Sequence, residues 1–288
     1  MITAPADFAV DLGAEARRWR DTLPALATRY CSRWALTPDG DPMFGYVAAV
    51  LPVRRADGHP AVLKLTWLDE ETRSEPLALA TWNGDGAVLL LDHDDADGAL
   101  LLERLDADHS LADEPIAAAL AVIGGLVRRL TVPAPAGLRR VVVDDLAARN
   151  RELGTPVEPR VVDHAAGMGR ELAASAAHLL VNEDLHYGNV LRASREPWLV
   201  IDPKPLSGDP EYGVIPLLWN RLAELDGERG LRDRRAAVVA AAGLDPDRTR
   251  AWTYYRAVVN HLWAVEVGDR AFADRLAAIT RSTVERAA

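Results

Sequence analysis

Two runs rich in Val, Leu and Ala lie on either side of RADGHP in the stretch Gly45 to Trp67, GYVAAVLPVRRADGHPAVLKLTW. Asp-Gly between such runs is a strong two-residue turn signal, so the stretch reads as an antiparallel hairpin. Lys64 interrupts its second strand as a lone charge in AVLKL. The chain holds 33 basic side chains, and only two of them, Lys64 and Lys204, are lysines. Lysine is a compact point charge that arginine cannot always replace. A lysine kept in an arginine-rich chain points to phosphate binding; an edge-strand lysine facing solvent is the ordinary alternative.

The hairpin sits inside a longer α+β pattern. Residues 14–30 read as an amphipathic helix with Pro24 as a possible kink. Asp69 to Gly84 reads as a helix ended by Asn83-Gly84, with Pro76 implying a late start or a kink. GAVLLLDHDDADGALLLERL adds two strands around an acidic turn. After Leu105 the character changes. Ser110 reads as the N-cap of a helix with an acidic first turn and a basic last turn, which suits the helix dipole. Pro133 to Gly137 reads as a loop, helical periodicity returns over 141–152 and 161–180, VLRASREPWLVID reads as two short strands, and the remainder is mostly helical. Two domains are expected: residues 1–105, small and β-rich, and residues 106–288, larger and helical.

Composition narrows the function classes. Of 288 residues, 49% are hydrophobic, enough for a sizeable core. The longest apolar run, Ile116 to Val127, is too short to span a bilayer, and the first residues lack a signal peptide's basic start and apolar core. Cys31 is the only cysteine, so neither an intrachain disulfide nor a Cys-rich zinc site is available. The net charge is −10 and the pI about 5.2, which argues against nucleic acid as a partner and suits a cationic small molecule. A soluble cytoplasmic protein, with no membrane partner, is expected.

VNEDLHYGN, residues 181–189, crowds polar groups behind the apolar AAHLL. Buried polar groups need partners, and such a cluster often has a ligand or metal to supply them. Asp184 and Asn189 are expected in a loop after a helix, and Asp202 at the end of the strand WLVI, which a hairpin can return beside Asn189. An amide oxygen and a carboxylate suit magnesium, which keeps waters and phosphate oxygens as its other ligands. Asp184 is then free to accept a proton. His186 reads as a structural loop residue, and a polar loop with capping roles is the plain alternative for the whole cluster.

The order of a strand lysine, a helical glutamate, D-x-x-x-x-N and a strand-end Asp resembles the protein-kinase-like fold. DLHYGNVLRA…PWLVIDPKPLSGDPEY resembles the aminoglycoside and hydroxyurea phosphotransferases, of the streptomycin 6-kinase type. The resemblance covers most of residues 45–221. It implies an α+β, bilobal kinase-like fold and an ATP-dependent small-molecule kinase that uses Mg2+. By that resemblance Lys64 binds phosphates, Glu75 steadies Lys64 with Glu71 as its rival, and the backbone of Glu103, Arg104 and Leu105 forms the adenine-reading hinge. Asp184 is the catalytic residue, Asn189 and Asp202 hold magnesium, and Lys204 lies near phosphate.

Three positions depart from the family's pattern. Its HGDLH is NEDLH here, so Asn182 replaces His and Glu183 replaces Gly, and Gly213 stands where an Asp is common. The acceptor is expected to be cationic or polyhydroxylated. Candidate acceptor contacts are the carboxylates Glu183, Glu211, Glu266 and Asp269, with Trp219, Trp252, Tyr254, Tyr255 and Trp263 as walls. The helical spacing of WTYYRAVVNHLWAVE equally suits core residues. Hydroxyurea and an endogenous sugar or amino alcohol are alternative acceptors. The rival classes are a nucleotide-binding regulatory module of weak catalysis and a metal-dependent hydrolase using Asp184 and His186.

Overall fold

The computed structural model describes residues 2–6, 8, 9, 13–143 and 145–284. Its contacts divide the chain into two compact units, Met1–Ala107 with Arg192–Asp202, and Asp108–Leu191 with Pro203–Ala288. The segment 192–202 follows the boundary expected at 105, yet it packs with the first unit. The reason is local: Val200 exchanges backbone hydrogen bonds with Val88 (2.8 Å) and Gly86 (3.0 Å), and Arg195 donates to the carbonyls of Gly84 (2.7 Å) and Ala87 (3.1 Å).

In the first unit, the helix Gly13–Arg33 lies against an antiparallel sheet. The strand order is Thr37–Pro38, Ala48–Arg54, Pro60–Thr66, Ala99–Glu103, Leu90–Asp94, and Met43–Phe44 also pairs with Ala48–Arg54. Successive side chains on a strand point to opposite faces. Ala61, Leu63 and Leu65 therefore join Leu23, Ala27 and Tyr30 of the helix in one core cluster, and Lys64 is turned to the other face. Val50 and Leu100 flank Lys64 across the ladder, so its strand is internal, not an edge. The short helix Glu75–Trp82 starts at Glu75 with Pro76 in its first turn and ends on Asn83 in the left-handed conformation, the late start that Pro76 implies.

The second unit pairs strand Leu179–Asn182 with strand Pro205–Gly208, Asn182 opposite Pro205. Helices Ile116–Leu130, Pro159–Ala174, Gly227–Ala242, Pro246–Glu266 and Arg270–Thr283 build its core. Helix Ile116–Leu130 approaches Gly227–Ala242 closely at Gly124, where an added Cβ would lie 2.3 Å from the Ala241 methyl. That contact explains one of the two glycines in the apolar helix.

Two sequence expectations are corrected. Ser110 is no N-cap: it ends the strand Asp106–Ser110, its hydroxyl bonds Asp113 at 3.1 Å, and the helix starts only at Ile116. Pro115 disfavours helical geometry in the residue before it, which delays the start. The helix expected over 161–180 ends at Ala174, and Leu179–Asn182 is a strand. Short apolar runs such as HLLV fit either period, and pairing with Pro205–Gly208 decides for the strand. Asp184 thus follows a strand, not a helix.

Candidate active site

In the first unit, Lys64 is 4% exposed and Glu75 only 2%. The ammonium lies 2.6 Å from both Glu75 oxygens and 2.7 Å from Asp202 Oδ1. The loop before Glu75 is pinned by its own side chains. Asp69 accepts from the amides of Glu71 and Thr72, and the Thr72 hydroxyl donates to the Trp67 carbonyl, so the first helical turn is delivered facing the strand. The exposed Glu71 is not the partner. Burial alone would lower the Lys64 pKa, but Asp202 and Glu75 outweigh it and hold the ammonium above lysine's ordinary value. Burial pushes the Glu75 carboxyl up to about 7, with Lys64 pulling the other way. Asp202 has a positive φ of 50°, an uncommon conformation for a non-glycine residue, and its side chain is 43% exposed.

At the end of strand Ala99–Glu103, the Glu103 side chain is occupied. It accepts from Arg195 at 2.7 Å and from the Leu89 amide at 2.7 Å, while its own N–H donates to Leu89 at 3.0 Å. Arg104 reaches Asp39 at 2.9 Å and also donates to the carbonyls of Val53 and Ala61. The side chains of Glu103 and Arg104 are therefore both engaged by groups of the protein itself.

In the second unit, every backbone polar group of Glu183 and Asp184 has a partner. Glu183 N–H donates to the Lys204 carbonyl (3.0 Å), and the Glu183 carbonyl accepts from Arg256 (3.0 Å). Asp184 N–H donates to Asn182 Oδ1 (3.1 Å), and the Asp184 carbonyl accepts from Asn189 Nδ2 (3.3 Å). That bond leaves Asn189 Oδ1 as the amide's acceptor. Lys204 Nζ lies 3.5 Å from the Asp184 carboxylate. His186 accepts from the Gly188 amide and shapes the turn, as expected for a loop residue.

Asn182 Oδ1 also accepts from the Lys204 amide at 3.1 Å, so one side-chain oxygen joins the loop to the neighbouring strand. Gly213 packs on the same residue: an added Cβ would lie 2.6 Å from the Asn182 carbonyl oxygen. The departures at 182 and 213 therefore meet in space. Asn182→Ala leaves two N–H groups without their acceptor and is expected to lower stability by about 1–3 kcal/mol. Asn182→Asp keeps the accepting oxygen and should lose less. Urea unfolding of the two variants compares them, and equal losses would remove the bridge from the account.

Residues 33–268 match the model of the family described as aminoglycoside/hydroxyurea antibiotic resistance kinase. The chain belongs to that family. It is 42% identical to a streptomycin 6-kinase of Streptomyces glaucescens, over 92% of this chain and 91% of the relative. It is 43% identical to a hydroxyurea phosphotransferase of Kitasatospora aureofaciens, over 96% of this chain and 83% of the relative. Among solved structures, a thermostable mutant of aminoglycoside phosphotransferase APH(4)-Ia in ternary complex with ADP and hygromycin B aligns with a TM-score of 0.58 at 16% identity, over 91% of this chain and 100% of that one. The fold is thus the expected α+β, protein-kinase-like one, and this resistance-kinase family member is a small-molecule kinase.

The acceptor contacts drawn from the sequence fare differently. Glu183 is buried and its carboxylate is met by Arg139 and Arg256, so it offers no charge to an incoming cation. Glu211 is buried and accepts from the Asp245 amide at 3.0 Å, where it anchors the N-terminus of helix Pro246–Glu266; burial raises its pKa. Glu266 pairs with Arg149 at 2.5 Å, and Asp269 caps the last helix by accepting from the Phe272 amide. Trp252, Tyr254 and Tyr255 are core residues. Trp219 and Trp263 pack edge-on to Phe272, and Trp263 stays 44% exposed.

Sequence reasoning gave no role to Asp209, Arg139 or Arg256. Asp209, 3% exposed, accepts from Ala177 N–H (2.8 Å), Trp252 Nε1 (2.8 Å) and Arg248 Nε (3.1 Å). It ties the end of strand Pro205–Gly208 to helix Pro246–Glu266. The quoted GDP signalled Asp209. Nothing local marks Arg139 and Arg256 among 31 arginines, the 33 basic residues less two lysines.

Proposed function

We propose that this resistance-kinase family member is an ATP-dependent O-phosphotransferase that phosphorylates a hydroxyl of a streptomycin-type aminoglycoside. The observation that carries the reading is Lys64, a buried point charge on an internal strand gripped by Glu75 and Asp202. Burying a charge is expensive unless it is paired, and a paired ammonium beside a half-exposed carboxylate is suited to receiving phosphates. Among the described residues no three His, Cys, Asp or Glu side chains gather as a metal cage. Asn189 Oδ1 in the second unit and the Asp202 carboxylate in the first are instead each a donor type that suits magnesium, which keeps phosphate oxygens and waters as its other ligands. Bound magnesium supplies neutralisation of phosphate charge. Asp184, with its backbone fully engaged, orients the acceptor hydroxyl and takes its proton, and Lys204 stands beside it. Lys64 holds the phosphates, Glu75 orients Lys64, and backbone groups of Arg104 and Leu105 meet the adenine.

Hydroxyurea is the second reading. The 43% identical relative favours it, and so does the engagement of Glu183, Glu211, Glu266 and Asp269 by groups of the protein itself, which weakens the case for a cationic acceptor. Acceptor-dependent ADP release separates the two. Streptomycin is expected to stimulate release in magnesium and hydroxyurea much less. Stimulation by hydroxyurea alone selects the second reading, and no stimulation by either, with ATP bound, leaves a nucleotide-binding module.

A further inference from the structure

Asp184 is reached through a peptide held by buried charged side chains. The residue before it is a buried glutamate, and the carbonyl of that glutamate is gripped by a buried arginine. Arg256, on helix Pro246–Glu266, is 7% exposed. Its Nη1 donates to the Glu183 carbonyl at 3.0 Å and to the Tyr212 carbonyl at 2.9 Å. Its guanidinium stacks over the Tyr212 ring at 4.4 Å, and its Nη2 lies 3.7 Å from Glu183 Oε2. Arg139 takes the other Glu183 oxygen from the segment that pairs with strand Pro205–Gly208.

We infer that Arg256 is the positioning residue of the catalytic loop, and that the Glu183–Arg139 pair keeps it in place; this rests on the reading of Asp184 as the base. A planar guanidinium with five donors can hold two carbonyls and a carboxylate at once, which an ammonium cannot do in the same geometry. Its two carbonyl partners belong to the peptide that leads into Asp184 and to the turn around Tyr212. A shift of either would swing the Asp184 carboxylate. Glu183 balances a guanidinium that would otherwise be buried beneath the loop with only neutral partners. Without that balance the arginine would be drawn toward water, taking the loop with it.

The test pairs kinetics with hydrogen exchange. Arg256→Gln is expected to lower kcat by about 10²-fold, the scale of a misplaced catalytic group, while the KM for ATP holds, since Arg256 belongs to the second unit and Lys64 to the first. The amides of Glu183 and Asp184 should exchange faster while those of helix Pro246–Glu266 stay protected. Arg256→Lys should recover part of the rate by reaching one carbonyl. If Arg256→Gln does not fold, Arg139→Gln, on a side chain only partly buried, should give the same split on a smaller scale. Wild-type kcat in the folded variant, or a rate loss with unchanged loop exchange, overturns the inference. A wild-type protein that transfers no phosphoryl group defeats the proposed function instead, and the exchange comparison still decides whether Arg256 holds the loop.

Discussion

Asp184→Asn is expected to lower turnover by about 10²–10⁴-fold, the span for losing a positioned general base, while ATP still binds. The structure makes this substitution unusually clean. The N–H and carbonyl of Asp184 are held by Asn182 and Asn189, and those of Glu183 by Lys204 and Arg256. None of these bonds uses the Asp184 carboxylate, so an isosteric amide leaves the loop's framework intact. The carboxylate's neighbour is Lys204 Nζ at 3.5 Å, a distance at which the loss of charge costs little stability in a partly exposed pair. A rate loss therefore reports chemistry and not misfolding. Steady-state kinetics and ATP titration of the same preparation measure both. Unchanged turnover would remove Asp184 from the reaction and return the cluster to a structural loop.

The parts of this molecule that could be read from its sequence are those whose physics is local. Asp57-Gly58 dictates a turn, Asn83 accepts the left-handed conformation that ends a helix, and Pro76 sets where that helix starts. Lys64 could be singled out because a lone charge in an apolar strand demands a partner. The misreadings came where distant chain decides. LLVN became a strand because Pro205–Gly208 pairs with it, and Ser110 lost its capping role to a proline five residues later. Glu183 looked like a charge for a substrate because Arg139 is 44 residues away and Arg256 is 73 away, and neither carries a local mark. Acidic residues on helix ends were similarly absorbed by capping, Asp269 among them, and an overall charge of −10 says nothing about which carboxylates are already satisfied.

The second large effect concerns Lys64, and it has a pH signature. Lys64→Met should reduce turnover by about 10²–10³-fold, the scale for removing one preorganised electrostatic contact. Lys64→Arg should not restore it, because a planar fork does not fit a site where a single nitrogen meets three carboxylate oxygens within 2.7 Å. Lys64→Met should also cost about 3–5 kcal/mol of stability at pH 8, since it strands the buried Glu75 carboxylate. The cost should shrink in acid. Burial already raises Glu75 from 4.5 to about 7 against the pull of Lys64, and removing Lys64 raises it further. A carboxyl whose folded pKa is raised binds its proton more tightly when folded. Its favourable contribution is complete below the unfolded value of 4.5 and is lost as pH rises through the folded value. The variant's deficit relative to wild type should therefore be largest above pH 7 and recover toward pH 5, where Glu75 is neutral and can stay buried without a partner ion. Denaturant unfolding of both proteins across that range measures it. A deficit that is flat with pH would mean that Glu75 relaxes to water when Lys64 is removed, and that the burial of this pair depends on the lysine's charge more than on the packing of helix Glu75–Trp82 against the sheet.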